Sequence, residues 1–339
     1  MAIFSYISGV AGTILDPAER TLFKERPPWG AILFARNIET PDQVRNLVDE
    51  IREVLGRADA PILIDQEGGR VQRLRPPHWP GYPPASVFAD IYADDPDAAR
   101  RAAWTGARLI GEDLHELGIN VDCLPVADIS FPETHEVIGD RAYGETPEQV
   151  VDLAASAAEG LMQAGVLPVL KHIPGHGRAT VDSHLDLPVV KTTRTELELT
   201  DFAAFTGLHH LPMAMTAHVI YTSIDPDNPG TTSRKVIEDV IRGDIGFDGL
   251  LMSDDLSMKA LSGRFGARTA AALDAGCDIA LHCNGQMEEM QAVAAGARVL
   301  TGDAAARAEQ ALERIHRIAC DTQGLREAFA ALTGYGMAS

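Results

Sequence analysis

Positive charge is scarce in this chain: 29 Lys and Arg stand against 49 Asp and Glu in 339 residues, a formal net charge of −20. Neutralising phosphates needs a basic field, so nucleic acid is excluded as a partner. Anionic membrane surfaces are disfavoured for the same reason, while neutral substrates stay open. Cysteine is sparse as well. Cys123, Cys277, Cys283 and Cys320 show no metal-type spacing and sit in apolar stretches. They read as small buried hydrophobes in a reducing compartment, not as a disulfide frame. No apolar run approaches the ~20 residues needed to cross a bilayer. The apolar start of the chain has no Lys or Arg before Arg20, so it lacks the basic leading segment of a signal peptide. A cytoplasmic, mature protein whose first segment is a strand is expected. Linkers, low-complexity tracts and fixed-period repeats are also missing, which points to one domain over 1–339. A chain of this length buries roughly three-quarters of its unfolded surface and needs no disulfide or metal staple.

What is present is alternation. Short apolar runs recur at Ile3–Val10, Gly30–Ala35, Pro61–Asp65, Asn120–Ala127, Val166–His172, Pro212–Val219, Gly249–Ser253 and Cys277–His282. Runs this short and rich in Val, Ile and Leu are the pattern of strands buried on both faces. Helical segments lie between them. Thr40-Pro41 and Thr146-Pro147 each offer a cap followed by proline in the first turn. Thr193 with Glu196 has the spacing of a capping box, and Ser233 precedes a stripe of Val236, Ile237, Val240 and Ile241. Eight strands alternating with helices predict an α/β fold, a single-domain (β/α)8 TIM-type barrel. An open doubly wound sheet is the alternative, but Gly9-x-x-Gly12 lacks the spacing of a dinucleotide-binding turn.

Barrels of this kind gather their chemistry where strands end. Here strand three ends in Asp65-Gln-Glu-Gly-Gly-Arg-Val-Gln-Arg73. Strand four leads to Asp128 and the loop Ile138-Gly-Asp-Arg-Ala-Tyr-Gly144. Strand five ends in Lys171-His-Ile-Pro-Gly-His-Gly177, followed by Asp182-Ser-His184. Strand six ends in Thr216-Ala-His218, and strand seven in Ser253-Asp-Asp-Leu256.

Lys171-His-Ile-Pro-Gly-His-Gly177 with Asp182-Ser-His184 and Ser253-Asp254-Asp255-Leu256 resembles the signatures of glycoside hydrolase family 3, and within it the single-domain bacterial β-N-acetylhexosaminidases. Asp65-Gln-Glu-Gly-Gly-Arg and Gly139-Asp-Arg141 fit the same pattern, and Ile173 stands where Phe is common. The resemblance implies a retaining glycosidase with no cofactor and no metal. Its substrate would carry a terminal β-linked N-acetylglucosamine on a 1,6-anhydro-N-acetylmuramyl (muropeptide) unit, as in cytoplasmic peptidoglycan recycling. A monomer without nucleic-acid or membrane partners is expected.

The same resemblance places the nucleophile on Asp254, while Asp255 reads as the start of the next helix, where a carboxylate satisfies free amides. It also implies that an Asp182–His184 dyad replaces the usual second carboxylate. Two residues apart on an extended loop, these side chains face the same side. A carboxylate beside imidazole favours its cationic form, so His184 would act as acid and then base. Gly175 and Gly177 are candidate hinges for this loop.

Asp65 is suited either to accepting two sugar hydroxyls or to an internal ion pair with Arg73 or Arg70. Lys171 and His172 fit either a salt-linked core pair or the sugar contacts that the family implies. Arg73 and Arg141 resemble the family's substrate-binding arginines. His176 reads as packing within its turn, with direct proton transfer as the alternative. Asp128 and His218 read as supporting groups near the mouth, and His282 and Asn284 as structural.

Two other function classes compete. A metal-dependent hydrolase could be imagined around His172, His176, His184, His218 and Asp254, but strand one carries no His-x-His. A non-catalytic sugar-binding protein would need the mouth without the nucleophile. Within glycosidases, assistance from the acetamido group and phosphate as acceptor both stay open.

Overall fold

A computed structural model describes residues 2–132, 134–179, 181 and 186–335. Each of the eight apolar runs overlaps a strand: β1 Phe4–Gly9, β2 Pro28–Leu33, β3 Ile62–Ile64, β4 Val121–Asp122, β5 Leu167–Ile173, β6 Met213–Thr216, β7 Leu250–Asp255 and β8 Ile279–His282. They pair in parallel, each with its sequence neighbours, and β8 returns to β1 to close the barrel. The expected α/β barrel is therefore the architecture, and the open sheet is not. A further parallel pair, Val189–Val190 with Ile220–Tyr221, lies outside it. Two residues per strand are too few to leave a periodic signal.

Alternation along each strand divides the core in two. Ile7, Ile32, Leu63, Val169, Met215 and Leu281 belong to the cluster filling the barrel. Their neighbours Tyr6, Ala31, Ile62, Leu170, Ala214 and Ala280 belong to the layer beneath the helices. Trp29, at the start of β2, shares the inner cluster with Ala308 and Ala311 of the helix Gly302–Glu313. That helix closes the barrel floor.

Helix ends follow the expected chemistry with two differences. Thr40 and Thr146 accept N–H bonds from Gln43 and Gln149. Thr193 caps Arg194–Leu199, but the Glu196 side chain turns to Arg178, 3.1 Å away, so no reciprocal box is recorded. Ser233 accepts from Val236 N–H, yet Val236–Asp244 winds as a wide π-type helix. The helices Pro96–Glu116 and Pro147–Gln163 make the most intimate helix contact of the molecule. It requires glycine at Gly160, where a Cβ would lie 2.4 Å from the Trp104 carbonyl oxygen.

Two register shifts sit at the mouth of the barrel. From Lys171 to Ile173 β5 advances two residues while β6 advances one, from Met215 to Thr216. From Met252 to Asp255 β7 advances three while β8 advances two. An extra residue of this kind re-aims side chains and recurs beside active sites. Here it lets adjacent Lys171 and His172 reach one cleft, which strict alternation would forbid.

Cys123, Cys277 and Cys283 are buried, whereas Cys320 is half-buried, and all four are free. Among the described residues no helix is long and apolar enough to cross a membrane. The helix Thr322–Thr333 is held on the barrel by Phe329, fully buried, with its ring 6.3 Å from that of Phe88. Phe329→Ala is expected to cost about 3–5 kcal/mol of stability in urea unfolding. A cost below about 1 kcal/mol would show that this helix does not belong to the cooperative core.

Candidate active site

Asp65, Arg73, Arg141, Lys171, His172, His176 and Asp254 all line one cleft at the C-terminal ends of the strands. It encloses about 750 Å³ including its open mouth, with Ile32, Met215 and Leu281 at its apolar base. Asp182 and His184 lie outside the described residues.

One side of the cleft is a chain of alternating charges. Arg73 Nη2 is 3.0 Å from Asp65 Oδ2, and Asp65 Oδ1 is 3.0 Å from Lys171 Nζ. Lys171 Nζ is 2.6 Å from Glu67 Oε1, and Glu67 takes Arg141 Nε and Nη2 at 2.8 Å each. Burial alone would push the Asp65 carboxyl up, but Lys171 and Arg73 outweigh it and hold it well below the usual range. Glu67 is drawn down to about 2 against the same burial, by Arg141 and then Lys171. Lys171 is raised in turn, because Asp65 and Glu67 overcome its desolvation. All these groups are ionised at neutral pH.

The ion pair of Asp65 with Arg73 is present, Lys171 pairs with Asp65 and Glu67 and not with His172, and both Asp65 and Lys171 line the cleft. What remains unspent defines what the site can hold. Lys171 has three N–H donors and gives two to Asp65 and Glu67, leaving one. Arg141 has five and gives two to Glu67 and one to Val137 O, leaving two. Asp65 keeps one acceptor position on each oxygen. Paired acceptors beside several cationic donors suit vicinal hydroxyls and a carbonyl oxygen.

Opposite this chain, Asp128 lies fully buried beneath two histidines. Its Oδ2 is 2.6 Å from His172 Nδ1, and its Oδ1 accepts the His176 backbone N–H at 2.6 Å. With Nδ1 occupied, His172 has Nε2 left for the cleft. Burial and the nearby His172 ring push His176 down to about 4, so its imidazole is neutral at pH 7. Among the described residues neither ring nitrogen of His176 has a hydrogen-bond partner. Gly175 and Gly177 are firmly packed. Gly175 accepts from Tyr221 Oη at 2.7 Å, and a Cβ on Gly177 would lie 1.9 Å from the Ile129 carbonyl oxygen.

Asp254, 6% exposed, accepts the Asp255 N–H on its Oδ1 at 2.7 Å and is also held through its backbone. Its N–H donates to Thr216 Oγ1 at 3.3 Å, which is 2.7 Å from Thr231 Oγ1, itself 2.6 Å from His218 Nδ1. His218, pushed down by burial, donates from Nε2 to the Asp255 carbonyl at 3.0 Å. The relay leaves Asp254 and returns to its neighbour. It spends both nitrogens of His218 inside the protein, which removes that residue from any ligand set. Asp255 is the last residue of β7, and the next helix begins only at Phe265, so it does not start a helix. Its carboxylate does satisfy amides, accepting from Ser257 N–H at 2.9 Å and Cys283 N–H at 3.1 Å. His282 is buried against the Phe265 ring, and Asn284 Oδ1 accepts from Gln286 N–H.

Glu67 is the residue that sequence reasoning passed over. The signal was there: two residues beyond Asp65 on an extended segment, it faces the same side. Asp122, beneath this network in β4, carries a different state. Burial pushes its carboxyl well above the usual range, outweighing the Gln66 N–H at 2.9 Å and the charge of Lys171. A raised carboxyl stabilises the fold below the unfolded value of 3.8 and loses that contribution as pH rises through the folded value. Asp122→Asn is therefore expected to gain melting temperature over the native chain as pH rises from 4 to 8. Parallel pH curves for the two proteins would contradict a raised Asp122 carboxyl.

Residues 18–318 match the family model of the glycosyl hydrolase family 3 N-terminal domain. A β-hexosaminidase of Alkalilimnicola ehrlichii is 42% identical over 288 residues, covering 84% of this chain and 82% of that protein. Native NagZ from Neisseria gonorrhoeae superposes with a TM-score of 0.87 at 31% identity, over 98% of both chains. NagZ from the same organism in complex with N-trifluoroacetyl-D-glucosamine gives a TM-score of 0.86 at 30% identity, again over 98% of both. With sequence and fold in agreement along most of its length, the chain belongs to glycosyl hydrolase family 3 and is a glycoside hydrolase of the β-hexosaminidase group.

Proposed function

We propose that this hydrolase removes a terminal β-linked N-acetylglucosamine with retention of configuration, through a covalent glycosyl–enzyme bond to Asp254. The observation that carries the reading is that Asp254 opens onto the same cleft as the Asp65–Lys171–Arg141 array. A sugar whose hydroxyls bind Asp65 and whose acetamido oxygen meets the unspent cationic donors has a carboxylate within the same enclosure. Attack by Asp254 on the anomeric carbon expels the aglycone, and water then attacks the glycosyl–enzyme bond from the vacated side.

The departing oxygen needs a proton. His184 gives it and takes one back from water, with Asp182 orienting the ring; this pair rests on the sequence pattern Asp182-Ser-His184. His176 is poorly suited to donate, since its buried ring is neutral at pH 7. The family likeness supports N-acetylglucosaminyl-1,6-anhydro-N-acetylmuramyl peptides as substrates, in a monomeric cytoplasmic enzyme of peptidoglycan recycling. The N-trifluoroacetyl-D-glucosamine held by the gonococcal relative supports the choice of an N-acylated sugar.

Two measurements test this. Incubation with a 5-fluoro N-acetylglucosaminyl fluoride is expected to leave an adduct on the peptide containing Asp254; an adduct on Asp255, or none, sinks the nucleophile assignment. His184→Ala is expected to slow a poor alkyl leaving group about 10²- to 10⁴-fold and an activated aryl one far less. Equal losses on both substrates would remove the acid role.

A further inference from the structure

Glu67 has no place in the chemistry just described, yet its carboxylate binds two cations of the cleft. Its residue is 8% exposed, and its two oxygens take three charged contacts from two separate elements. Arg141 comes from the turn Gly139–Arg141 after β4, and Lys171 from the bulged end of β5. Behind the carboxylate lies an apolar enclosure where Tyr82, Pro83, Leu124 and Tyr143 keep water away. Its own backbone is locked, since Glu67 N–H donates to Val71 O at 2.8 Å across the Gly68–Gly69 turn.

We infer that Glu67 is a positioning residue for hydrolysis: by clamping Arg141 and Lys171 together it fixes which of their N–H groups point at the sugar. The inference rests on the glycosidase reading above and deepens it. With two cationic donors on Oε1 and a third on Oε2, Glu67 is committed to Arg141 and Lys171 and not to work as acid, base or nucleophile. Its work is geometric. Planar guanidinium held by two parallel bonds has one orientation, and the donors it leaves over therefore have one direction. Without the carboxylate, Arg141 keeps only Val137 O among these contacts, and Lys171 keeps only Asp65. Three cations would then face the single carboxylate of Asp65, and both side chains would swing to find water or each other's distance.

The test uses Glu67→Gln, which keeps shape and removes charge, and Glu67→Asp, which keeps charge and shortens the reach. Both are expected to fold, by circular dichroism, and both to lose about 100-fold in kcat/KM on an aryl N-acetyl-β-glucosaminide, the cost of a misplaced substrate. Full rescue by Asp would reduce Glu67 to charge balance and overturn the clamp. In a double-mutant cycle, Glu67→Gln combined with Arg141→Ala is expected to lose less than the product of the single losses; multiplicative losses would overturn the coupling. A crystal structure of Glu67→Gln gives a readout independent of turnover. Displaced Lys171 and Arg141 side chains are expected, and undisturbed ones sink the inference. If the native enzyme leaves the aryl glycoside intact, the glycosidase reading falls, while that crystal structure still decides the clamp.

Discussion

A desolvated run of five charges, Arg73–Asp65–Lys171–Glu67–Arg141, dictates the form of this active site. Ionised groups taken out of water each cost several kcal/mol, and only closely placed partners offset that. The carboxylates stay charged because cations flank each of them, and Lys171 stays charged because carboxylates flank it. None of these groups tolerates a wandering neighbour. The result is a wall of donors and acceptors whose directions are set before a ligand arrives, the condition under which hydrogen bonds select one arrangement of hydroxyls. Asp122, a step deeper and without a direct ion pair among the described residues, has its carboxyl pushed well above the usual range by the same burial.

The barrel supplies the rest by small departures from regularity. Regular strands alternate between the packed interior and the helical layer, which leaves few side chains free for a cleft. One added residue in β5 and one in β7, both at the mouth, break that alternation where chemistry is needed. The relay from Asp254 N–H through Thr216, Thr231 and His218 to the Asp255 carbonyl then holds the bulged end of β7. On the far side Asp128 does the same for His172 and His176 with one carboxylate.

The strands were legible because a parallel barrel buries both faces of every strand, and short Val, Ile and Leu runs are the direct imprint of that burial. Thr40-Pro41 and Thr146-Pro147 announced their helices for an equally local reason. The wide winding of Val236–Asp244 left no such mark, since its apolar stripe suits either helix. In the site, the charged residues stood out at strand ends, but their pairing did not. Which cation meets Glu67 depends on the turn Gly139–Arg141 and on a bulge, both set by tertiary contacts. Asp255 shows the limit from the other side: its appetite for amides was foreseen, but the amides belong to a turn and to Cys283, just past β8.

The helix Gly302–Glu313, with Ala308 and Ala311 against Trp29, makes the barrel a dead end. No polymer threads through such a well, so only the tip of a glycan enters, and whatever enters leaves by the same door. In the two-step hydrolysis proposed above, the departing aglycone would vacate the passage that the incoming water must use.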